Sequence, residues 1–475
     1  MPASTATVQT PAASTTTDAS RRRSKKNLPY HKKRAAKKSA KAAAAAAAAA
    51  AVAQEKSADL SSSMNLARSL VHPSEIFSLV NFQLLGGKER LFPPNDQTEE
   101  TANMQRCYYW LDKTSRSFSA VIKALHPDIR RAVCIFYLVL RGLDTVEDDM
   151  SLDENIKKDL LKSFHDKLFE PGWTFKGIGP QEKDRQLLVE FDVVIAEFLR
   201  LETKYSEVIA DICKKMGAGM IKFAHKQVET VDHYNLYCHY VAGLVGIGLS
   251  RLFSVSNLES EMVGKDVECS NSMGLFLQKT NIIRDYHEDL VDGRTWWPHQ
   301  IWSLYAGKLG DFVEPQHEAA GLKCLNHLVA DALDLVPEVF KYMSRLQDQS
   351  IFNFCAIPQV MAIATLSLCY NNRNVLHRNV KIRKGQAVQL MMRATNMTAF
   401  YEIFEEHCLE LKARAPSNDT RTHHALDRIL SLINAQRTKG ALPAPSQTVS
   451  VLPWIMGAAA LGGAAYFAHR RYGLF

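Results

Sequence analysis

The chain lacks the marks of several common protein classes. Its nine cysteines form no CxxC pair and no Cys/His ligand spacing, which removes a zinc framework, and their odd number and scatter fit a reducing compartment better than a disulfide scaffold. No stretch alternates apolar and polar residues as a half-buried strand does, so no sheet is expected. Three glycines crowd YCHYVAGLVGIGL (Gly243, Gly246, Gly248), but they lack both the GxGxxG order and the preceding strand of a dinucleotide fingerprint. There is no internal repeat of fixed period, and no Pro/Gly/Ser linker interrupts the middle of the chain. Basic charge is in short supply outside the first 56 residues. That arm holds 12 Lys/Arg against Asp18 and Glu55, leaving 46 basic and 48 acidic residues elsewhere. The net charge of +8 therefore belongs to the arm. It gives the remainder no basis for binding nucleic acid.

What is present is ordinary globular material: 475 residues, 46% hydrophobic and 23% charged. Residues 1–62 read as a disordered arm, with a basic block at 21–41 and an alanine run at 42–51. From 63 to 435 apolar residues recur at i, i+3, i+4 and i+7, which predicts one large all-α domain, a helical bundle around a cavity. Helix starts are expected at His72-Pro73-Ser74-Glu75 and at 112–115. Turns are expected at 92–96, 170–173, 177–181 and 292–298. Cys134, Cys213, Cys355 and Cys369 lie in apolar runs and read as core residues. Residues 436–450 read as a linker. The 18 uncharged residues at 451–468 precede His469-Arg470-Arg471 and are long enough for a transmembrane anchor.

Two acidic clusters stand out, DTVEDD at 144–149 and DYHED at 285–289. Asp144 and Asp148, and likewise Asp285 and Asp289, are spaced to share one helix face, with Glu147 and Glu288 each adding an acid at i+3. Asp149, one residue further on, turns away. Like charges so close oppose helix formation unless a cation sits between them. Oxygen-only sites suit Mg²⁺, which takes one or two carboxylates and completes its shell with phosphate oxygens and water. Each cluster follows an apolar run, so both are expected at the rim of a cavity as an Mg²⁺–diphosphate site gripped from two sides.

Several other residues carry possible chemistry. Arg116, Arg141 and Arg284 offer planar donor forks for phosphate oxygens, in competition with structural pairing to the acids. From spacing alone Tyr237 reads as a core tyrosine, with proton carriage as the other reading. The glycines beside it suggest a thin helix wall against which a bulky apolar chain can lie. IFNFCAIPQVMAIATL (351–366) either lines the cavity or fills the core. VKIRKGQA (380–387) gathers Lys381, Arg383 and Lys384, either as a solvated loop or as a second phosphate site.

SRSFSAVIKAL, AVCIFYLVLRGLDTVEDDM, YCHYVAGLVGIGLSRLF, NSMGLFLQKTNIIRDYHEDL, QSIFNFCAIPQVMAIATL and VKIRKGQAV together resemble the squalene synthases of the squalene/phytoene synthase family. The resemblance runs from about 64 to 400, and the C-terminal anchor fits it. It implies an isoprenoid-synthase helical fold and two half-reactions. Two farnesyl diphosphates couple head to head to presqualene diphosphate, and NADPH then reduces the rearranged cation to squalene. By motif position, Asp144, Glu147, Asp148, Asp285, Glu288 and Asp289 are expected to hold Mg²⁺ and diphosphate. Tyr237 takes the tyrosine role in the first half-reaction, which displaces the core reading. Arg116 and Arg141 match phosphate positions, and Lys381 and Arg383 match NADPH positions. Phe118, Phe352 and Phe354 match cavity aromatics that face cations. Tyr137, Gln278 and Asn281, inside the matching runs, are expected to contact substrate. The family further implies a monomer at the endoplasmic reticulum membrane, with the catalytic domain cytosolic. The competing expectation is a relative that stops at presqualene diphosphate or makes another C30 product without NADPH.

Overall fold

Pro127 opens the longest helix that reaches the acidic clusters. In the computed structural model, which describes residues 72–92, 100–115, 118–224, 226–440 and 442, every regular element is helical. The expected arm, most of the linker and the 451–468 anchor lie outside the described residues, as does Arg116.

Helix α1 is Pro73–Leu84, begun by His72 with Pro73 in its first turn as the sequence suggests. Helix α2 is Ala102–Thr114, whose Thr101 side chain accepts from the Met104 N–H. The expected start at 112–115 is instead an end. Asp112 lies inside α2, where it pairs with Lys123 at 2.7 Å, and only Ser115 begins something new, accepting from the Phe118 N–H. Helix α3 is Pro127–Asp148, α4 is Glu154–Lys167 and α5 is Thr203–Phe223. Helix α6 is Val231–Cys238, followed by one π-helical turn, His239–Gly243, and by α7, Leu244–Val255. Then come α8 at Val267–Arg284, α9 at Tyr286–Val291, α10 at Glu318–Leu333 and α11 at Val336–Met343. The last four are α12 at Gln349–Cys369, α13 at Lys384–Arg393, α14 at Met397–Arg414 and α15 at Thr420–Thr438. Helix α15 runs past the expected end of the domain at 435 and enters the stretch read as a linker. Its Asp419 cap accepts from the Thr422 N–H, which sets its start.

Helix α8 is the axis of the bundle. It packs against the π-turn, α7, α10, α11 and α12. It is buried on every side, from Cys269 through Phe276 to Ile283, as a helix surrounded by others must be. Helix α12 is buried almost throughout as well, and it carries Pro358 in its interior. Proline has no N–H, so the carbonyl four residues back, that of Phe354, loses its helical partner. Two stretches, Val231–Val255 and Gln349–Cys369, are apolar and long enough to cross a membrane, yet both pack within this bundle.

Glycines of the π-turn, α7 and α8 let these elements approach closely. A Cβ on Gly243 would strike the Asn271 side chain, one on Gly246 the Ser270 carbonyl, and one on Gly274 the Ala242 carbonyl. The π-turn and α8 therefore meet backbone to backbone. The expected thin wall exists, but it is thin mainly because two helices touch there. All nine cysteines are free and buried, in keeping with the core reading of four of them.

Candidate active site

Helix α3 is written in two parts along one face. Val133, Phe136, Tyr137, Leu140, Arg141 and Asp144 recur at helical spacing and line an apolar cavity of about 170 Å³. The last turn continues into Glu147 and Asp148, which line a polar cavity of about 660 Å³. Helix α8 repeats the plan. Met273, Gly274 and Leu277 line a second apolar cavity of about 210 Å³, and Ile282 and Asp285 reach the polar one. Gln278 and Asn281 line both. Phe118, Val241, Val245, Leu249 and Phe354 are shared by the two apolar cavities. The result is one polar chamber with Glu147 and Asp148 on one wall and Asp285 and Asp289 on another, leading past two amides into an apolar, aromatic-walled space.

The first cluster is the last turn of α3, as expected. Asp149 leaves it: its carboxylate accepts from the Ser151 N–H at 2.9 Å and from the Gly179 N–H at 2.8 Å, which holds it below the usual carboxylate range. The second cluster differs from expectation. Asp285 is a break between α8 and α9, at φ −94° and ψ 12°, not the interior of one helix. The Asp289 N–H still reaches the Asp285 carbonyl at 2.9 Å, so the i, i+4 relation survives the break. Asp285 is held on both oxygens, by the Arg284 fork at 2.7 and 2.5 Å and by Asn379 at 2.9 Å. Glu288 is exposed and accepts from the same Asn379 amide at 2.8 Å, away from the chamber's lining. The helix breaks at Asp285, and Glu288 stays beside Asp285 through the shared Asn379 amide without lining the chamber.

The electrostatics ask for positive charge. Burial pushes the Asp144 carboxyl up to about 7 against the pull of Arg141, with Asp148 adding to the rise. Burial and then the neighbouring Asp148 push Glu147 to about 7. Burial takes Asp289 to about 6, with Arg294 opposing. Each shift is the cost of holding a carboxylate with too little solvent and too many like charges. Arg141, at 4.0 Å from Asp144 and 3.9 Å from Asp184, donates to the Tyr137 hydroxyl at 3.3 Å. That hydroxyl donates in turn to the Thr114 carbonyl at 3.2 Å.

Tyr237 faces the polar chamber, its ring stacked on Trp296. Burial first, and the Glu147 charge second, hold its hydroxyl well above the ordinary range, so it keeps its proton. Phe354 lines both apolar cavities, with its ring edge-on to Phe253 at 6.0 Å. Phe352, two residues earlier on α12, faces the other way and packs on Phe400 in the core. It lines neither apolar cavity, because residues two apart on a helix point apart. Lys381 is exposed. Arg383 is held at 2.9 Å by Glu75 of α1, itself nearly buried.

Known proteins account for this arrangement. The family model for squalene/phytoene synthase matches residues 111–386. The squalene synthase of Homo sapiens is 52% identical over 78% of this chain and 88% of its own length. That of Saccharomyces cerevisiae is 46% identical over 74% of this chain and 80% of its own. The solved complex of TcSQS with the ligand BPH1237 superimposes at a TM-score of 0.68, with 44% identity, covering 70% of this chain and 99% of that one. The chain belongs to the squalene/phytoene synthase family.

For a member of this family, the chamber contains several residues that pattern alone did not reveal. Arg294 reaches Asp289 at 3.4 Å and Asp292 at 3.1 Å, and Glu182 and Trp296 complete the lining. Arg294 and Trp296 come from a segment legible only as a turn, and Glu182 directly follows another. The expected loop at 292–298 marked where Arg294 and Trp296 would lie, without saying that it folds back over the acids. Nothing in the local sequence marked Asn379.

Proposed function

We propose that the protein couples two farnesyl diphosphates head to head to presqualene diphosphate and then reduces this to squalene with NADPH. The observation that carries the reading is the convergence of two carboxylate-tipped helices on one polar chamber that opens, past Gln278 and Asn281, into an apolar space walled by Phe118 and Phe354. A long apolar diphosphate has matching halves.

The donor set fits Mg²⁺. The chamber offers hard carboxylate oxygens with carboxyls at about 6 and 7 that gain from a cation. Among the described residues no three acids, histidines or cysteines gather closely enough to hold an ion alone. Carboxylates spread over two walls suit an ion whose shell is completed by diphosphate and water. We assign Asp144, Glu147 and Asp148 to one such ion and diphosphate, and Asp285 and Asp289, with Glu288 beside them, to the other. Mg²⁺ bound there supplies charge that stabilises departing diphosphate.

The chain's own residues do the rest. Arg141, and Arg116 by motif, bind phosphate oxygens. Tyr237 holds a proton at its hydroxyl beside the acids. Phe118 and Phe354 exclude water and present π faces to an allylic cation. Tyr137 orients Arg141, and Gln278 and Asn281 stand where the diphosphate end meets the chain. Of the two basic groups assigned to NADPH, Lys381 is exposed, whereas Arg383 is already engaged by Glu75, so Lys381 is the one open to a phosphate. NADPH, when bound, supplies the hydride that ends the second half-reaction.

We further assign the protein to the endoplasmic reticulum membrane through residues 451–468, as a monomer with no nucleic-acid partner. Product analysis after incubation with farnesyl diphosphate and Mg²⁺, with and without NADPH, tests the function. Squalene should appear only with NADPH. Presqualene diphosphate under both conditions would instead leave an enzyme of the coupling step alone.

A further inference from the structure

Among the described residues, Asn379 is the side chain that joins the second acidic cluster to the basic segment after it. Its amide nitrogen donates to Asp285 Oδ1 at 2.9 Å and to Glu288 Oε2 at 2.8 Å, across more than 90 residues of sequence. A neutral amide can bridge two carboxylates without adding charge, which a lysine or arginine could not do. Its own carbonyl oxygen is buried with no partner, so the group is held for its donors. Four residues on, the other end of the segment is fixed by the Arg383–Glu75 pair, and Val380 between them is buried. Lys381 is thus an exposed cation on a short non-helical segment pinned at both ends. The two partners of Asn379 are unequal in what they stand to lose. Asp285 keeps the Arg284 fork when the amide is removed. Among the described residues, the segment's side-chain tie to the acids is Asn379.

We propose that Asn379 is a positioning residue that fixes Lys381 relative to the second acidic cluster, so that NADPH binding and the reductive half-reaction depend on it more than the coupling half-reaction does. The inference rests on the function proposed above. The test uses the full-length protein in detergent and compares wild type with Asn379→Ala and with Asn379→Leu, which is close in size, uncharged and without a donor. Binding of NADPH is followed by its own fluorescence. Formation of presqualene diphosphate and of squalene is followed separately, and folding is checked by thermal melting. Both variants should melt like wild type. Their affinity for NADPH should fall about tenfold, the size of one lost hydrogen bond to a charged group. Squalene formation should fall with it, while presqualene diphosphate formation stays within about threefold. Unchanged NADPH affinity, or a parallel loss of both half-reactions in a variant that melts normally, would overturn the proposal. If Asn379→Ala melts early, Asn379→Leu, which leaves no cavity, decides by the same criteria. Wild type that binds NADPH but makes no squalene would overturn the function itself.

Discussion

The ring of Tyr237 lies flat against the indole of Trp296, with centroids 4.0 Å apart and planes 10° apart. Phe223 closes the other side edge-on at 5.5 Å. The stack holds the phenol in one orientation at the chamber wall, between the Glu147 side and the Arg294 loop. A hydroxyl positioned and kept protonated in this way suits the proton role proposed for it.

Tyr237→Phe therefore keeps the stack and loses only the hydroxyl. Consumption of farnesyl diphosphate should fall by about 10²–10⁴, the usual worth of a positioned acid or base, with an unchanged melting temperature. Trp296→Ala should lower the rate less and the melting temperature more. Near-normal turnover in Tyr237→Phe would return Tyr237 to a packing role.

Asp148→Asn and Asp285→Asn each remove one anionic oxygen donor from a different wall. Each should cut turnover by about 10²-fold or more, on the scale of losing one preorganised electrostatic contact in an active site, with the circular dichroism of the helices intact. The two losses test the two-walled site separately. Normal turnover in either variant would reduce the site to one wall.

The raised carboxyls make a signed prediction about pH. Asp144 and Glu147 sit at about 7 in the folded protein and near 4 when unfolded. The folded state thus binds protons that the unfolded state has released. The stability these groups contribute is complete below pH about 4 and is lost as pH rises to about 7. Without divalent cation, the melting temperature should fall between pH 5.5 and 7.5, and the fall should shrink in Asp144→Asn. Added Mg²⁺ should raise it more at pH 7.5 than at 5.5, because a cation binds the ionised forms. A melting temperature that rises over this interval in wild type and variant alike would contradict the shifts.

How much of this could be read beforehand follows from the range of each interaction. Asp144 and Asp148 were legible because the i, i+4 relation is local and α3 runs unbroken to Asp148. The break at Asp285 was not, since Asp285 is held by the Arg284 fork and by Asn379 across 94 residues. Phe352 and Phe354 look alike in sequence, and only the packing of α12 against α14 decides which faces the cavity. The Glu75–Arg383 pair spans 308 residues, so no local pattern announces that Arg383 is engaged.

The tail prediction is independent of the site. Removing residues 448–475 should release the protein from membranes into the soluble fraction with its activity retained, as fractionation and product assay would report. Continued membrane association would place the anchor elsewhere.

The most direct measurement follows one sample through both half-reactions. Full-length protein is incubated with farnesyl diphosphate and Mg²⁺ until presqualene diphosphate accumulates, and NADPH is then added. Conversion of the accumulated presqualene diphosphate to squalene by the same protein is the predicted result. Presqualene diphosphate that persists after NADPH, or that never forms, would contradict the account of one cavity serving two steps.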